Sequence, residues 1–411
     1  NGYDFFEVDA YGRRKSSTKK TKGKVVADIT AKEFAPGKNL VLTIDKDLEM
    51  AAAAAFGKEK TGAIVALDPN NGEILTMLSW PSFNSSEFSV GIRPEYWKEL
   101  STNDDKPLRD KTIVDHYNPG STFKIVSAMA GLEEGLITGD TIVNAGGSFW
   151  FGGRAFHDWK KEGHGPTDVV KAIYRSVDVY FYKLATRMDI DALSGYAHKL
   201  GLGQRTGIKL PGEIPGIVPS TEWKRKTTGA EWYPGETLSV IIGQGALTAT
   251  PLQLANMIAT VANGGTVYRP RLVKYIENSD GTVIDRFNPE VIQKNIFKEE
   301  TLRLVRKGVL EVIENEQGTA HSEFIPGMHV AGKTGTAQVM RFSADKVYAS
   351  CLNLPRRFRH HGLFVAYAPA EDPKIAVAAV AEHACHGGGM GGAAPIVMAV
   401  IKKYLEKIDP Q

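Results

Sequence analysis

The sequence predicts an α+β fold: one antiparallel sheet drawn from both ends of the chain, flanked by helices, with a helical insert between. Three observations carry this. Two apolar runs lie early, at 62–67 and 73–78, and three more return late, at 333–340, 363–368 and 374–382. The long stretch between them reads as helices and loops. Finally, 411 residues at 42% hydrophobic composition suffice to bury a large core, as one big domain or two.

Taken in order, residues 1–37 have a character of their own. Phe5, Phe6, Val8 and Tyr11 hint at a short strand, and residues 13–24 then hold seven Lys or Arg among twelve, which reads as a solvated loop. Residues 41–45 lead into a helix over 47–56, with Asp45 placed to cap it. No apolar run approaches the roughly 18 residues of a membrane span, and 51–56 is too short. The formal charge of +3 is mild, which argues against a dedicated nucleic-acid binder. The runs 62–67 and 73–78 are joined by Asp-Pro-Asn-Asn-Gly, a hairpin signal. The late runs 363–368 and 374–382 are joined by Pro-Ala-Glu-Asp-Pro, and a closing helix covers 394–405.

The chemistry starts at Tyr117-Asn-Pro-Gly-Ser-Thr-Phe-Lys124. Pro119 and Gly120 punctuate the chain, and apolar residues then recur at Phe123, Val126 and Met129 until Gly135, so a helix opens here. Ser121 falls in its first turn, where unpaired N–H groups favour a developing negative charge. Lys124 follows on the same face. A serine hydroxyl needs a base to take its proton, and a lysine serves only where its surroundings keep it neutral. Two further stretches bear on this: Ser176-Val-Asp178, and Lys333-Thr-Gly335 continued by Thr336. Each has a bland alternative. Ser121 could cap a helix, Lys124 could snorkel at the surface, Ser176 and Asp178 could cap a helix over 179–188, and Lys333 could open an ordinary strand.

The order Ser-x-x-Lys, Ser-x-Asn/Asp, Lys-Thr-Gly resembles the signature of penicillin-binding proteins and class A β-lactamases. The stretch from Gly62 to Leu75, with Pro81-Ser-Phe-Asn84, Gly243-Gln-Gly245 and Thr250-Pro-Leu-Gln253, resembles the class B penicillin-binding proteins. Asp158-Trp-Lys-Lys with Gly163-His-Gly165, and Asp at 178, is most similar to their elongation group, penicillin-binding protein 2. The resemblance runs from about Val41 to the end of the chain.

It implies the penicillin-binding protein/β-lactamase-like transpeptidase fold, with residues 1–38 the end of a pedestal and 39–411 the transpeptidase domain. It implies a peptidoglycan D,D-transpeptidase of cell elongation and rod shape. Ser121 would be the nucleophile, Lys124 its base and Ser176 a proton relay, with Asp178 directed at the substrate amide or Lys333. Lys333, Thr334 and Thr336 would hold the substrate carboxylate, and the N–H groups of Ser121 and Thr336 would form the oxyanion hole. The stem peptide would add to the strand edge, with Gly335 keeping that approach clear. The implied partners are peptidoglycan stem peptides, β-lactam antibiotics, a membrane glycosyltransferase and elongation-machinery proteins, with no cofactor. The setting is the periplasmic face of the inner membrane, this chain being a soluble piece of an anchored protein. A D,D-carboxypeptidase and a catalytically idle scaffold or sensor remain alternatives. A β-lactamase fits less well, because no Glu-x-x-Leu-Asn stretch is present.

Metal and thiol signals are weaker. His383-Ala-Cys-His386 reads as incidental in a Gly-rich loop, and 387–392 reads as a turn near the site. Some members of the resembled group have a zinc site outside the catalytic centre; here Asp158 and His164 match two ligand positions, while Asn144 and Val177 stand at the other two. The expectation is no metal. Cys351 and Cys385 flank the last two strands, and their pairing needs Cα atoms within about 7 Å, which spacing alone leaves open.

Overall fold

The computed structural model describes residues 37–409 apart from 58–59, 90, 341–347 and 390. The strand hint at 5–11 and the basic run at 13–24 lie outside the described residues. The described chain forms two compact units. In the smaller, Asn39–Leu42 pairs with Val273–Glu277, which pairs in turn with Val283–Arg286, all antiparallel.

The larger unit, Thr43–Leu272 with Pro289–Gln411, is built on a five-stranded antiparallel sheet. Its order is Ala331–Ala337, His361–Ala368, Ile375–Glu382, Thr61–Leu67 and Ile74–Trp80. Early and late strands therefore meet side by side, as the sequence pattern predicts. The central strands are apolar at almost every position because both sheet faces are covered. Val65, Leu67, Leu363 and Val365 join a core with the helices Lys124–Glu133 and Pro251–Ala262. Their neighbours Ile64, Ala66, Phe364 and Ala366 join a second core with Lys46–Phe56 and Ala394–Ile408.

Local signals behave as read. Asp45 accepts from the N–H groups of Asp47 and Leu48, capping the first helix. The Asp68–Gly72 turn closes the first hairpin, with Gly72 at φ 75°. The strand expected over 333–340 instead spans Ala331–Ala337, because its partner begins at His361, opposite Ala337, and offers nothing to pair beyond it. Among the described residues no helix is long and apolar enough to cross a membrane.

Cys351 and Cys385 are disulfide-bonded, with Cα atoms 5.6 Å apart. The bridge ties a turn preceding the His361 strand to the loop that leaves the sheet at Glu382. It closes a loop across a sequence separation of 34. Chain entropy then assigns it about 3–4 kcal/mol. The double variant Cys351→Ser/Cys385→Ser should lose that much in urea unfolding; a loss under about 1 kcal/mol would show that the bridge constrains the unfolded chain little.

Candidate active site

Ser121 lies in a 3-10 turn, Gly120–Phe123, that runs directly into the helix Lys124–Glu133. This is tighter than the first α-helical turn expected from the pattern. Gly120 has φ 53°, and a Cβ there would sit 2.4 Å from Thr336 O. Only glycine satisfies both demands. The helix is buried from Lys124 through Gly131, so it runs through the core, and Lys124 is 0% exposed. A snorkelling surface lysine is excluded.

The buried Lys124 amine is surrounded by acceptors. Nζ donates to Ser176 O at 2.8 Å, Ser176 Oγ at 3.2 Å and Asp178 Oδ1 at 2.7 Å. Ser176 sits at φ 55°, a strained conformation that turns its carbonyl and hydroxyl toward the same amine. Asp178 opens the helix Asp178–Ala185, whose cap is Val177 without a side-chain bond, so neither Ser176 nor Asp178 serves as a helix cap. One expectation is corrected: Asp178, expected to face the substrate amide or Lys333, is bonded to Lys124, more closely than the Ser176 hydroxyl is. Burial pushes the Asp178 carboxyl above its ordinary range, against the pull of Lys124.

Ser121 Oγ has no hydrogen-bond partner among the described residues. It opens into a cavity of about 510 Å³ lined also by Ser176, Asp178, Gln244, Thr334 and Thr336. Lys333 is 0% exposed and does not line the cavity; its Nζ donates to Thr334 O at 3.1 Å. Burial, then the Lys124 charge, push its amine well below the ordinary lysine range, with Asp178 opposing. Thr334 Oγ1 lies 2.8 Å from Thr319 Oγ1. The Ala331–Ala337 strand is an edge of the sheet, so one side of it has no strand partner among the described residues. Gly335 is required for a different reason than substrate approach. A Cβ there would meet Pro119 O and Thr122 Cγ2 at 2.8 Å, the turn carrying the nucleophile.

The Gly-rich loop reaches the site as expected: His386, Gly387 and Gly388 line the cavity. Its His-Ala-Cys-His run holds no metal cluster, since Cys385 is in the disulfide and His386 Nδ1 faces Gly388 O. Among the described residues no group of three or more His, Cys, Asp or Glu is arranged for a metal ion.

The zinc positions of the resembled group do not fit zinc here. Asp158 Oδ1 takes His164 Nε2–H at 3.0 Å and Lys160 N–H at 3.1 Å, and Oδ2 takes Val179 N–H at 3.1 Å. Burial pushes this carboxyl up, but the bonds from His164 and Val179 outweigh it and leave it below its ordinary value. Val177 is fully buried and apolar, and Asn144 is exposed. His164 Nδ1 is buried without a partner among the described residues, a single donor atom where a structural site needs four ligands. A chelator is therefore expected to leave the melting temperature unchanged. One zinc per chain by elemental analysis, lost in His164→Ala, would overturn this.

Trp159, Thr319 and Gln338 also line the cavity, and no sequence reading placed them there. Gln244 carried a signal, the Gly243-Gln-Gly245 motif, without a role.

Residues 62–402 match the penicillin binding protein transpeptidase domain. The chain belongs to this family. A curated relative, the peptidoglycan D,D-transpeptidase MrdA of Acinetobacter baumannii, is 38% identical over 389 residues, covering 94% of the chain. The chain spans 56% of that relative's length. Among solved structures, PBP2 of Pseudomonas aeruginosa is 38% identical with a TM-score of 0.79, covering 90% of this chain and 76% of that one. Helicobacter pylori PBP2, solved in complex with MreC, is 30% identical with a TM-score of 0.80, covering 99% of this chain and 69% of that one. The α+β fold read from the sequence is the fold of this penicillin-binding family.

Proposed function

We propose that the chain is the catalytic part of a peptidoglycan D,D-transpeptidase of cell elongation, working through a Ser121 acyl-enzyme. The observation that carries this is a serine hydroxyl with no partner among the described residues, at a cavity beside a strand edge, with two buried lysines nearby in the fold. Lys124 first passes a proton to Asp178, the carboxyl that burial pushes upward. Ser121 Oγ then attacks the carbonyl between two terminal D-alanines and gives its proton to the neutral Lys124 amine. Ser176 and Asp178, both bonded to Lys124, form the path by which a proton reaches the departing D-alanine nitrogen. The C–N bond breaks, leaving an ester on Ser121. The amine of a neighbouring stem peptide then attacks that ester, forming the crosslink and restoring the hydroxyl.

Thr334 and Thr336 supply hydroxyls for the substrate carboxylate, and Lys333 supports it from beneath by its bond to Thr334 O. The donor peptide adds to the open strand edge. A β-lactam follows the first half and stops at the ester. The family's name and the MrdA relative support this reading. Residues 1–38 then belong to a pedestal and 39–411 to the transpeptidase domain, a span that includes Asn39–Leu42 and Val273–Asn288 of the smaller unit, at the periplasmic face of the inner membrane. A membrane glycosyltransferase and elongation proteins are the partners, the complex of Helicobacter pylori PBP2 with MreC being one such pairing.

Incubation with a fluorescent penicillin tests the reading: a stable adduct supports it, turnover marks a lactamase, and no adduct marks an idle scaffold. Adding stem peptide with an acceptor amine separates crosslinked product from the bare D-alanine release of a carboxypeptidase.

A further inference from the structure

The Gly243-Gln-Gly245 turn joins the two halves of the site. Gly243 O accepts from Gly120 N–H at 2.9 Å, and Gln244 Nε2–H donates to Thr336 O at 2.8 Å. Gln244 is itself anchored, its N–H bonded to Ser239 O at 2.9 Å. The packing is backbone on backbone. A Cβ on Gly243 would lie 2.0 Å from Gly120 O, and one on Gly120 would lie 2.8 Å from Thr336 N. Residues 120, 243 and 336 thus meet with no side chain between them. Thr336 is the penultimate residue of an edge strand, where one side has no strand partner among the described residues. Fixing its carbonyl restrains rotation about the Thr336 Cα bonds, and so restrains its N–H.

We propose that Gln244 is a positioning residue: its side-chain amide holds Thr336 so that the N–H groups of Ser121 and Thr336 converge on one oxygen of the substrate. This rests on the acyl-enzyme reading above. Oxyanion donors act only within about 2.7–3.1 Å of the place where charge develops, so a small tilt of the edge residue weakens them. Substrate affinity depends on the rest of the groove and is expected to change little.

The test measures penicillin acylation in the wild type, Gln244→Ala and Gln244→Glu, separating the acylation rate constant from the dissociation constant. The infrared band of the acyl-ester carbonyl is followed with a ¹³C-labelled β-lactam. In Gln244→Ala the rate constant should fall about 10-fold to 100-fold, less than the loss of a whole oxyanion donor. Dissociation should stay within about twofold, and the ester band should move to higher wavenumber as its hydrogen bonds weaken. Glutamate has the same shape but no donor while ionised. Gln244→Glu should therefore behave like alanine at neutral pH. It should recover relative to wild type as pH falls toward the ordinary glutamate value of about 4.3. Its near-isosteric shape guards against misfolding in the alanine variant. Wild-type rates and an unmoved band in both variants would overturn the proposal, as would a slow alanine variant beside a wild-type glutamate one at neutral pH, which would indicate packing. Absence of any adduct on the wild type would overturn the acyl-enzyme reading and this inference together.

Discussion

Ser121→Ala should abolish penicillin acylation outright, while the wild type gains one acyl group on the peptide containing Ser121. Three of the four other hydroxyls around the cavity are engaged, the exception being that of Thr336. Ser176 Oγ is bonded to Lys124, and Thr334 Oγ1 and Thr319 Oγ1 bond each other. Ser121 Oγ is uncommitted and sits where first-turn N–H groups favour the oxyanion. Because its side chain makes no hydrogen bond with a described residue, the variant should stay within about 0.5 kcal/mol of wild-type stability. Intact-mass measurement after penicillin treatment reads the result directly. An adduct on the alanine variant would move the nucleophile elsewhere.

Much of the fold was legible because its strands are bounded by unambiguous turn residues and apolar on both faces. The hairpin at Asp68–Gly72 and the paired late strands needed no tertiary knowledge. Strand ends were less legible, since Ala337 stops pairing only because its neighbour starts at His361. Motif order was enough to collect Ser121, Lys124, Ser176, Asp178 and the Lys333–Thr336 stretch into one site. It could not say which acceptor Lys124 prefers, because that depends on the left-handed turn at Ser176, a residue type that rarely adopts it. Nor could it show that Lys333 is buried behind the cavity, since strand alternation fixes a face but not what covers that face. The role of Gln244 was hidden for the same reason: its partner lies 92 residues away.

Lys124→Ala should cut acylation by about 10²–10⁴, the usual worth of a positioned base. It should also reverse an ordinary stability trend. In the wild type the Lys124 charge opposes the burial that pushes Asp178 up. Without that amine the Asp178 carboxyl rises further, so the folded state binds a proton that the unfolded chain has lost. Wherever the folded state binds more protons, stability falls as pH increases. The variant should thus be more stable on the acid side of the Asp178 titration than at pH 8. Carboxylates whose folded value is lowered give the opposite slope. Melting temperature across pH 5 to 8 measures this, and the double variant Lys124→Ala/Asp178→Asn should lose the slope while remaining slow in acylation. A slope that survives in the double variant would assign it to another group. Acylation of Lys124→Ala within about threefold of wild type would remove Lys124 as the base and leave the role to Lys333, the buried amine of the neighbouring strand, which its surroundings already push toward the neutral form.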